Sequence, residues 1–284
     1  REVTVLRAGS LTTVQDAGRP GLAHLAVPPS GAVDPGGWRL ANRLVGNSGE
    51  EAALETTLTG VALQVHVACA VAVTGARAPV TVDRRPAGWG VPLILEAGQI
   101  LDVGPATAGV RCYVAVSGGI VVPPVLGSRS TDILSGLGPA PLADGRTLPL
   151  GPVQGPPAVV DFAPYPAPLA LLRLLLHPGP RHEWLSDAGL ATMARETWQV
   201  DTASNRIALR LAGPSLGRAG PGELPSEGIV SGAVQVPPDG RPLVFLADHP
   251  TTGGYPVVGV VDPSDLAACG QAGPGTPVSF RTRA

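Results

Sequence analysis

The sequence predicts a mainly β fold, a barrel or sandwich, and three observations carry that expectation. Short apolar stretches rich in Val, Leu and Ile recur between Gly, Pro, Asp and Asn, the punctuation of strands and turns. Gly and Pro supply 38 and 32 of the 284 residues, so turns are frequent. Hydrophobic residues still make up 44% and the formal net charge is -2, enough apolar surface to offset the entropy of ordering the chain. The length suits one or two domains.

The apolar stretches fall at 61–73, 91–95, 99–103, 110–116, 207–211, 243–246 and 277–280, and some alternate, as in ALQVHV at 62–67. Three segments break the pattern with helical signals. Asp34-Pro35 opens VDPGGWRLANRLVGN: Asp caps the first free amides, Pro fits the first turn, Trp38, Ala41 and Val45 share a face, and Gly46 stops the run. Asp262-Pro263 opens VDPSDLAACGQ in the same way, a hint of a duplicated unit. A third helix is expected over about 186–196, with Leu185, Leu190 and Met193 as its apolar side. The helices are expected to plug barrel ends. The proline-rich stretch 148–168 divides the chain, because Pro cannot donate to a ladder and favours semi-rigid connection. The expected domains are 1–155 and 171–284, with 156–170 as the connection.

Composition excludes several chemistries. All 20 basic residues are Arg. Without Lys the chain cannot carry a GKT or GKS phosphate loop, a pyridoxal Schiff base, a Ser-Lys amidase centre or a covalent biotin. Balanced charge without dense arginine runs argues against nucleic-acid binding. No apolar run approaches 18 residues, so no membrane span is expected. REVTVLRAGS lacks the pattern of a secretory signal, and Cys69, Cys112 and Cys269 lie far apart without metal-ligand spacing, which points to buried thiols in a cytoplasmic protein. No histidine cluster suggests a metal site, and G-x-S-x-G is absent.

Four polar, Gly-containing clusters stand out. In 12–34, Gln15, Asp16 and Arg19 sit between glycines, and the Arg19 fork suits a carboxylate or phosphate, although an Asp16/Arg19 pair fixing a turn explains it equally. In 116–136, Gly118-Gly119 permits close backbone approach, while Ser128, Arg129, Ser130, Thr131 and Asp132 gather hydroxyls around one cation, a mixture suited to an anion or to a self-satisfied polar turn. In 204–238, Glu227 and Gln235 are candidates for a pocket, and Glu227 is a base only if buried. In 247–259, after the apolar LVFL, Asp248 and His249 stand at a strand end, and Thr251, Thr252, Gly253, Gly254 and Tyr255 follow as a candidate nest of amides and hydroxyls around an oxyanion.

Taken in order, TTVQDAGRPG, SGAVDPGGWRLANRLVGN, VSGGI followed by VPPVLGSRSTD, SNRIALRLAG, SEGIVSGAVQVPPDGRP and ADHPTTGGYP cover essentially the whole chain. They resemble the family of the 5-oxoprolinase C subunit, also called KipA, allophanate hydrolase subunit 2, and the biotin-dependent carboxyltransferase-like domain of urea carboxylase. The resemblance implies two cyclophilin-like β-barrel domains with a few short helices and a site between them. It implies a hydrolase component active only in a complex, whose partners are the KipI-like B subunit of 5-oxoprolinase (allophanate hydrolase subunit 1) and the A subunit of the same enzyme. The complex would bind ATP and couple its hydrolysis to opening a small lactam, 5-oxoproline, into glutamate. Two other roles go with the resemblance: a KipA-like regulatory protein that sequesters a KipI-like kinase inhibitor, and the carboxyltransferase component of a urea carboxylase or allophanate hydrolase system, with biotin carried on another chain. In the oxoprolinase reading Arg19 and Arg129 hold anionic oxygens, 251–254 serves developing charge, and Glu227 or Asp248 handles protons. Two motifs depart from relatives: Ile207, Ala208 and Leu209 follow Arg206 where Met-Gly-Tyr is common, and His249-Pro250 replaces Arg-Gln.

Overall fold

In the computed structural model, which describes residues 1–219 and 224–282, the chain divides into two compact units. One comprises Arg1–Arg19 and Ser30–Pro168, the other Pro20–Pro29 and the chain from Leu169 on.

The first unit runs β1 (Glu2–Arg7), β2 (Leu11–Gln15), α1 (Pro35–Leu44), β3 (Ala53–Thr57), β4 (Val61–Val65), β5 (Cys69–Arg77), β6 (Val80–Val82), β7 (Arg85–Ala87), β8 (Pro92–Leu95), β9 (Ile100–Val103), β10 (Ala108–Val116) and β11 (Thr147–Pro149). Six strands pair in the order β11-β1-β4-β9-β6-β7 and five in the order β2-β3-β10-β5-β8. The inner faces of both sheets fill one core: Val3 and Val5 of β1 and Leu63 of β4 meet Val71 and Val73 of β5 and Val114 of β10. Alternation decides what happens on the other face. Ala70, Ala72 and Ala115 point outward with Tyr113, and α1 packs Trp38, Ala41 and Leu44 onto them. The helix expected to plug a barrel end therefore covers a sheet face instead, because β5 and β10 turn large apolar residues inward and carry small alanines on the outer face that leave room for it.

The proline-rich stretch is not a free connection before Pro168. Gln154 donates to Glu51 and accepts from the Ser48 amide, Ala158 N donates to Leu44 O, and Ala163 N donates to Gly90 O. Phe162 packs beside Trp89, whose ring also carries the Arg77 guanidinium at 3.7 Å. At Gly46, with φ +78°, a Cβ would lie 2.4 Å from Pro156 O, so glycine is what lets this strap run over the end of α1.

The second unit contains β12 (Leu172–Pro178), α2 (Asp187–Arg195), β13 (Trp198–Val200), β14 (Ala208–Ala212), β15 (Glu227–Gly228), β16 (Ala233–Gln235), β17 (Leu243–Phe245), β18 (Thr252–Gly253), β19 (Val257–Val261), α3 (Pro263–Cys269) and β20 (Pro277–Thr282). Seven of these strands close a barrel in the order β12-β19-β16-β17-β14-β13-β20, sealed by the parallel pairing of β20 with β12. The chain is thus mainly β with three short α-helices among its described residues. Each helix starts on the cap its sequence offers: Asp34 accepts from Gly37 N, Ser186 from Gly189 N, and Asp262 from Ser264 N. Met193 of α2 and Leu185 just before its cap are buried as expected, but Leu190 remains 41% exposed. Among the described residues no helix is long and apolar enough to cross a membrane. The three thiols are buried and unpaired; burial pushes Cys69 up to about 11 and Cys112 and Cys269 up to about 12, which keeps them protonated and unreactive at neutral pH.

Candidate functional site

In the first unit the first two polar clusters come together around one carboxylate. Asp16 Oδ1 accepts from Ser128 Oγ at 2.5 Å, Ser130 Oγ at 2.6 Å and Gly18 N at 2.8 Å, and Asp16 Oδ2 accepts from Arg129 N at 2.6 Å. Ser130 Oγ in turn accepts from Asp16 N. Arg19 is only 2% exposed, and its Nη2 and Nε donate to Ser130 O and Val125 O. It is built into the loop wall, which corrects the expectation that it presents a fork to an anion. Arg129 differs. Its Nε donates to Val122 O at 2.9 Å, and its terminal nitrogens have no partner among the described residues, so a half-buried cation keeps its donor edge outward.

Gln15 and Thr131 meet beside this loop. Gln15 Nε2 donates to Thr131 O at 2.9 Å and Thr13 Oγ1 at 3.0 Å, while Gln15 Oε1 and Thr131 Oγ1 are buried without a partner among the described residues. Unsatisfied buried oxygens are costly to leave unpaired. Asp132 closes its own turn on Leu134 N and Ser135. The close approach allowed by Gly118 is to the chain itself, since a Cβ there would sit 2.2 Å from Gly151 O.

Sequence reasoning missed a buried polar line on the outer face of the five-stranded sheet. Tyr113 Oη donates to Glu55 Oε2 at 2.8 Å and accepts from Asp34 N at 2.8 Å; Tyr165 Oη donates to Asp34 Oδ1 at 2.5 Å; Arg111 Nε lies 3.5 Å from Glu55 Oε1. Burial and then the neighbouring carboxylates raise both tyrosines above their ordinary values, so they act as fixed donors. The available signal was a charged residue inside each of two apolar strands, Glu55 in ALETT and Arg111 in VRCYVAV.

In the second unit the third and fourth clusters also meet. Glu227–Gly228 pairs with Thr252–Gly253 as a short ribbon, Ile229 N donates to Thr251 O, and Gln235 Nε2 donates to Tyr255 O at 3.0 Å. Neither expected proton carrier is free for that work. Asp248 is fully buried and both of its oxygens accept from Arg206, at 2.9 Å each; exchanging a proton would mean breaking a buried ion pair. Glu227 is gripped by Arg181, and that hydrogen bond holds its carboxyl below the ordinary glutamate range, so the carboxylate is a weak proton acceptor whose oxygens are already engaged. His249 is buried with Nδ1 2.8 Å from Pro250 O and its ring against Phe245. What remains for a ligand is the Thr251–Tyr255 turn. Thr252 is exposed, Gly253, Gly254 and Tyr255 are half-buried, and neither the Tyr255 hydroxyl nor the amides of Gly254 and Tyr255 have a partner among the described residues. That arrangement can donate to an anionic oxygen. Among the described residues no group of three His, Cys, Asp or Glu side chains gathers as a metal site.

Known proteins resemble this chain along nearly its whole length. Residues 25–282 match the family model for the carboxyltransferase domain, subdomain A and B. The C subunit of 5-oxoprolinase from Escherichia coli (strain K12) is 37% identical over 282 residues, covering 97% of this chain and 89% of that protein. The urea amidolyase of Saccharomyces cerevisiae is 33% identical, covering 98% of this chain but 16% of its own length. A crystal structure of the K. lactis urea amidolyase superposes with a TM-score of 0.92 at 30% identity, over 100% of this chain and 19% of that one.

Proposed function

This chain belongs to the carboxyltransferase family of subdomains A and B, and from that premise we propose that it serves as the C subunit of an ATP-dependent 5-oxoprolinase. The observation that carries the reading is the extent of the match: at 37% identity it takes in 89% of the Escherichia coli 5-oxoprolinase C subunit, whereas the yeast urea amidolyase is matched over 16% of its length. The partner is a KipI-like B subunit, and an A subunit of the lactam-opening type completes the enzyme.

The chemistry suits the side chains left over after folding. Opening an unactivated lactam with water is slow because the ring nitrogen is a poor leaving group. Transfer of a phosphoryl group from ATP to the lactam oxygen releases ADP and creates an imidate-like carbon; water adds there as the electron pair moves to the ring nitrogen, the C–N bond breaks as that nitrogen takes up protons, and a second water hydrolyses the resulting acyl phosphate to glutamate and phosphate, the transferred phosphoryl oxygens carrying negative charge throughout. Each unit by itself leaves donors unengaged that suit such oxygens: the outer edge of Arg129 in the first, and, separately, the Gly254 and Tyr255 amides with the Tyr255 hydroxyl in the second.

Arg129→Ala in the assembled complex tests the reading. Loss of one such donor is expected to lower 5-oxoproline-dependent ATP hydrolysis by about a hundredfold, with assembly intact. Unchanged turnover removes Arg129 from the site.

A second reading is favoured by the TM-score of 0.92 to the K. lactis urea amidolyase, namely carboxyl transfer to a urea-like amide. It requires biotin on a lysine outside these 284 residues, since they contain none. Turnover that needs bicarbonate and is blocked by avidin would select it over the oxoprolinase.

A further inference from the structure

We propose that the cleft between α2 and the barrel of the second unit binds a small amphipathic carboxylate, its apolar body inside and its carboxylate at the rim beside Arg281. The cleft has a volume of about 370 Å³, within the range that accommodates a small organic ligand. Its walls are Leu176, Leu185, Met193, Val258 and Phe280, each buried by its own packing, and Leu190 on the open side.

The gap is held open by backbone. Ser186 N donates to Gly217 O at 2.9 Å and Ala219 N to Trp184 O at 2.7 Å, while a Cβ on Gly189 would lie 2.4 Å from Gly217 O. These contacts pin the first turn of α2 to the 217–219 segment. The turn leading into α2 is fixed likewise, by Gly179 N to Val258 O and Arg181 N to Val257 O. The helix therefore cannot settle onto the barrel to close the space, and Leu190 stays 41% exposed on a side whose neighbours, Leu185 and Met193, are buried. Interiors are packed close to crystal density, so an apolar recess of this size held open by main-chain contacts has the character of a receptor.

The rim gives the ligand its polarity. Arg281 donates through Nε to Arg173 O at 3.3 Å and stands 3.9 Å from Asp265, too long for a close ion pair, which leaves guanidinium capacity for another carboxylate. His182 uses Nδ1 toward Gly179 O at 3.1 Å, with Glu183 at 3.6 Å, and its Nε2 has no partner among the described residues. Asp265 and Glu183 keep the rim from being strongly cationic, which disfavours polyanions and leaves a monocarboxylate as the match. This inference stands apart from the proposed lactam chemistry, since none of its residues belongs to that site.

Titration of the 284-residue chain with decanoate by calorimetry tests it. Saturable binding is expected, and octanoate should bind about fifteenfold more weakly, since each buried methylene contributes about fourfold. Leu190→Trp and, separately, Ala194→Leu fill the cleft and should abolish binding while the thermal midpoint holds. Arg281→Gln should weaken decanoate about fivefold and leave decanol unchanged. Absence of saturable binding overturns the proposal, as does binding indifferent to both cleft-filling variants. A photo-crosslinker at position 190 that joins α2 to another protein chain in the assembled complex, and is not displaced by decanoate, also overturns it, because the occupant is then a polypeptide.

Discussion

The two units bury a carboxylate in opposite ways. In the first, Asp16 is held by neutral donors: two serine hydroxyls and two backbone amides. In the second, Asp248 is held by the guanidinium of Arg206, with both groups within 1% of complete burial. The neutral solution keeps cations out of the arrangement, so Arg129 contributes only its backbone amide to Asp16 and keeps its charge for something else. The ionic solution consumes its cation. This contrast explains why, of two loops equally rich in polar residues, the first offers a charged side chain and the second offers hydroxyls and main-chain amides.

Breaking the ionic arrangement should have the largest effect. Asp248→Ala strands a buried guanidinium and is expected to cost about 3–5 kcal/mol, read as a fall in the denaturation midpoint; Arg206→Met with Asp248→Leu should recover most of it, since matched apolar replacement of a buried pair is well tolerated. Full stability of the single variant would mean that Arg206 reaches water. Asp16→Ala should cost less, about 2–3 kcal/mol, because hydroxyls can turn to other acceptors while the amides of Gly18 and Arg129 cannot. A loss equal to that of Asp248→Ala would erase the distinction between the two arrangements. The smallest effect belongs to the partly exposed Arg181–Glu227 pair. Because the folded Glu227 pKa is lowered, its stabilisation is fully present above 4.5, the ordinary glutamate value, and is lost as pH falls through the folded value. Wild type should therefore exceed Glu227→Gln by a constant small margin near neutrality that vanishes on acidification. A margin that grows in acid would mean that the carboxyl's folded value is raised.

Much of the local structure was legible because its causes are local. Asp34-Pro35, Ser186 and Asp262-Pro263 announce helix starts through a side chain and an amide two or three residues apart, and α1, α2 and α3 begin where those signals say. The strands at 92–95, 100–103 and 108–116 follow the apolar runs within two residues. The side-chain partnerships were not legible, since they depend on register. Glu227 looked like a base because Arg181 lies 46 residues away, and Asp248 looked free because Arg206 lies 42 away. The stretch 156–170 read as a connection because proline content reports the lack of ladder donors. The contacts that hold it come from Ala158, Phe162, Ala163 and Tyr165 among the prolines.

That strap has a practical consequence for anyone dissecting the chain. A fragment ended at residue 155, where composition invites the cut, would strip the cover from Trp89 and Arg77 and leave the Asp34 cap without the Tyr165 hydroxyl, so it should be prone to aggregate. Continuing to Pro168 retains all of these anchors, and limited proteolysis of the intact protein should spare the proline-rich stretch that its composition marks as a target.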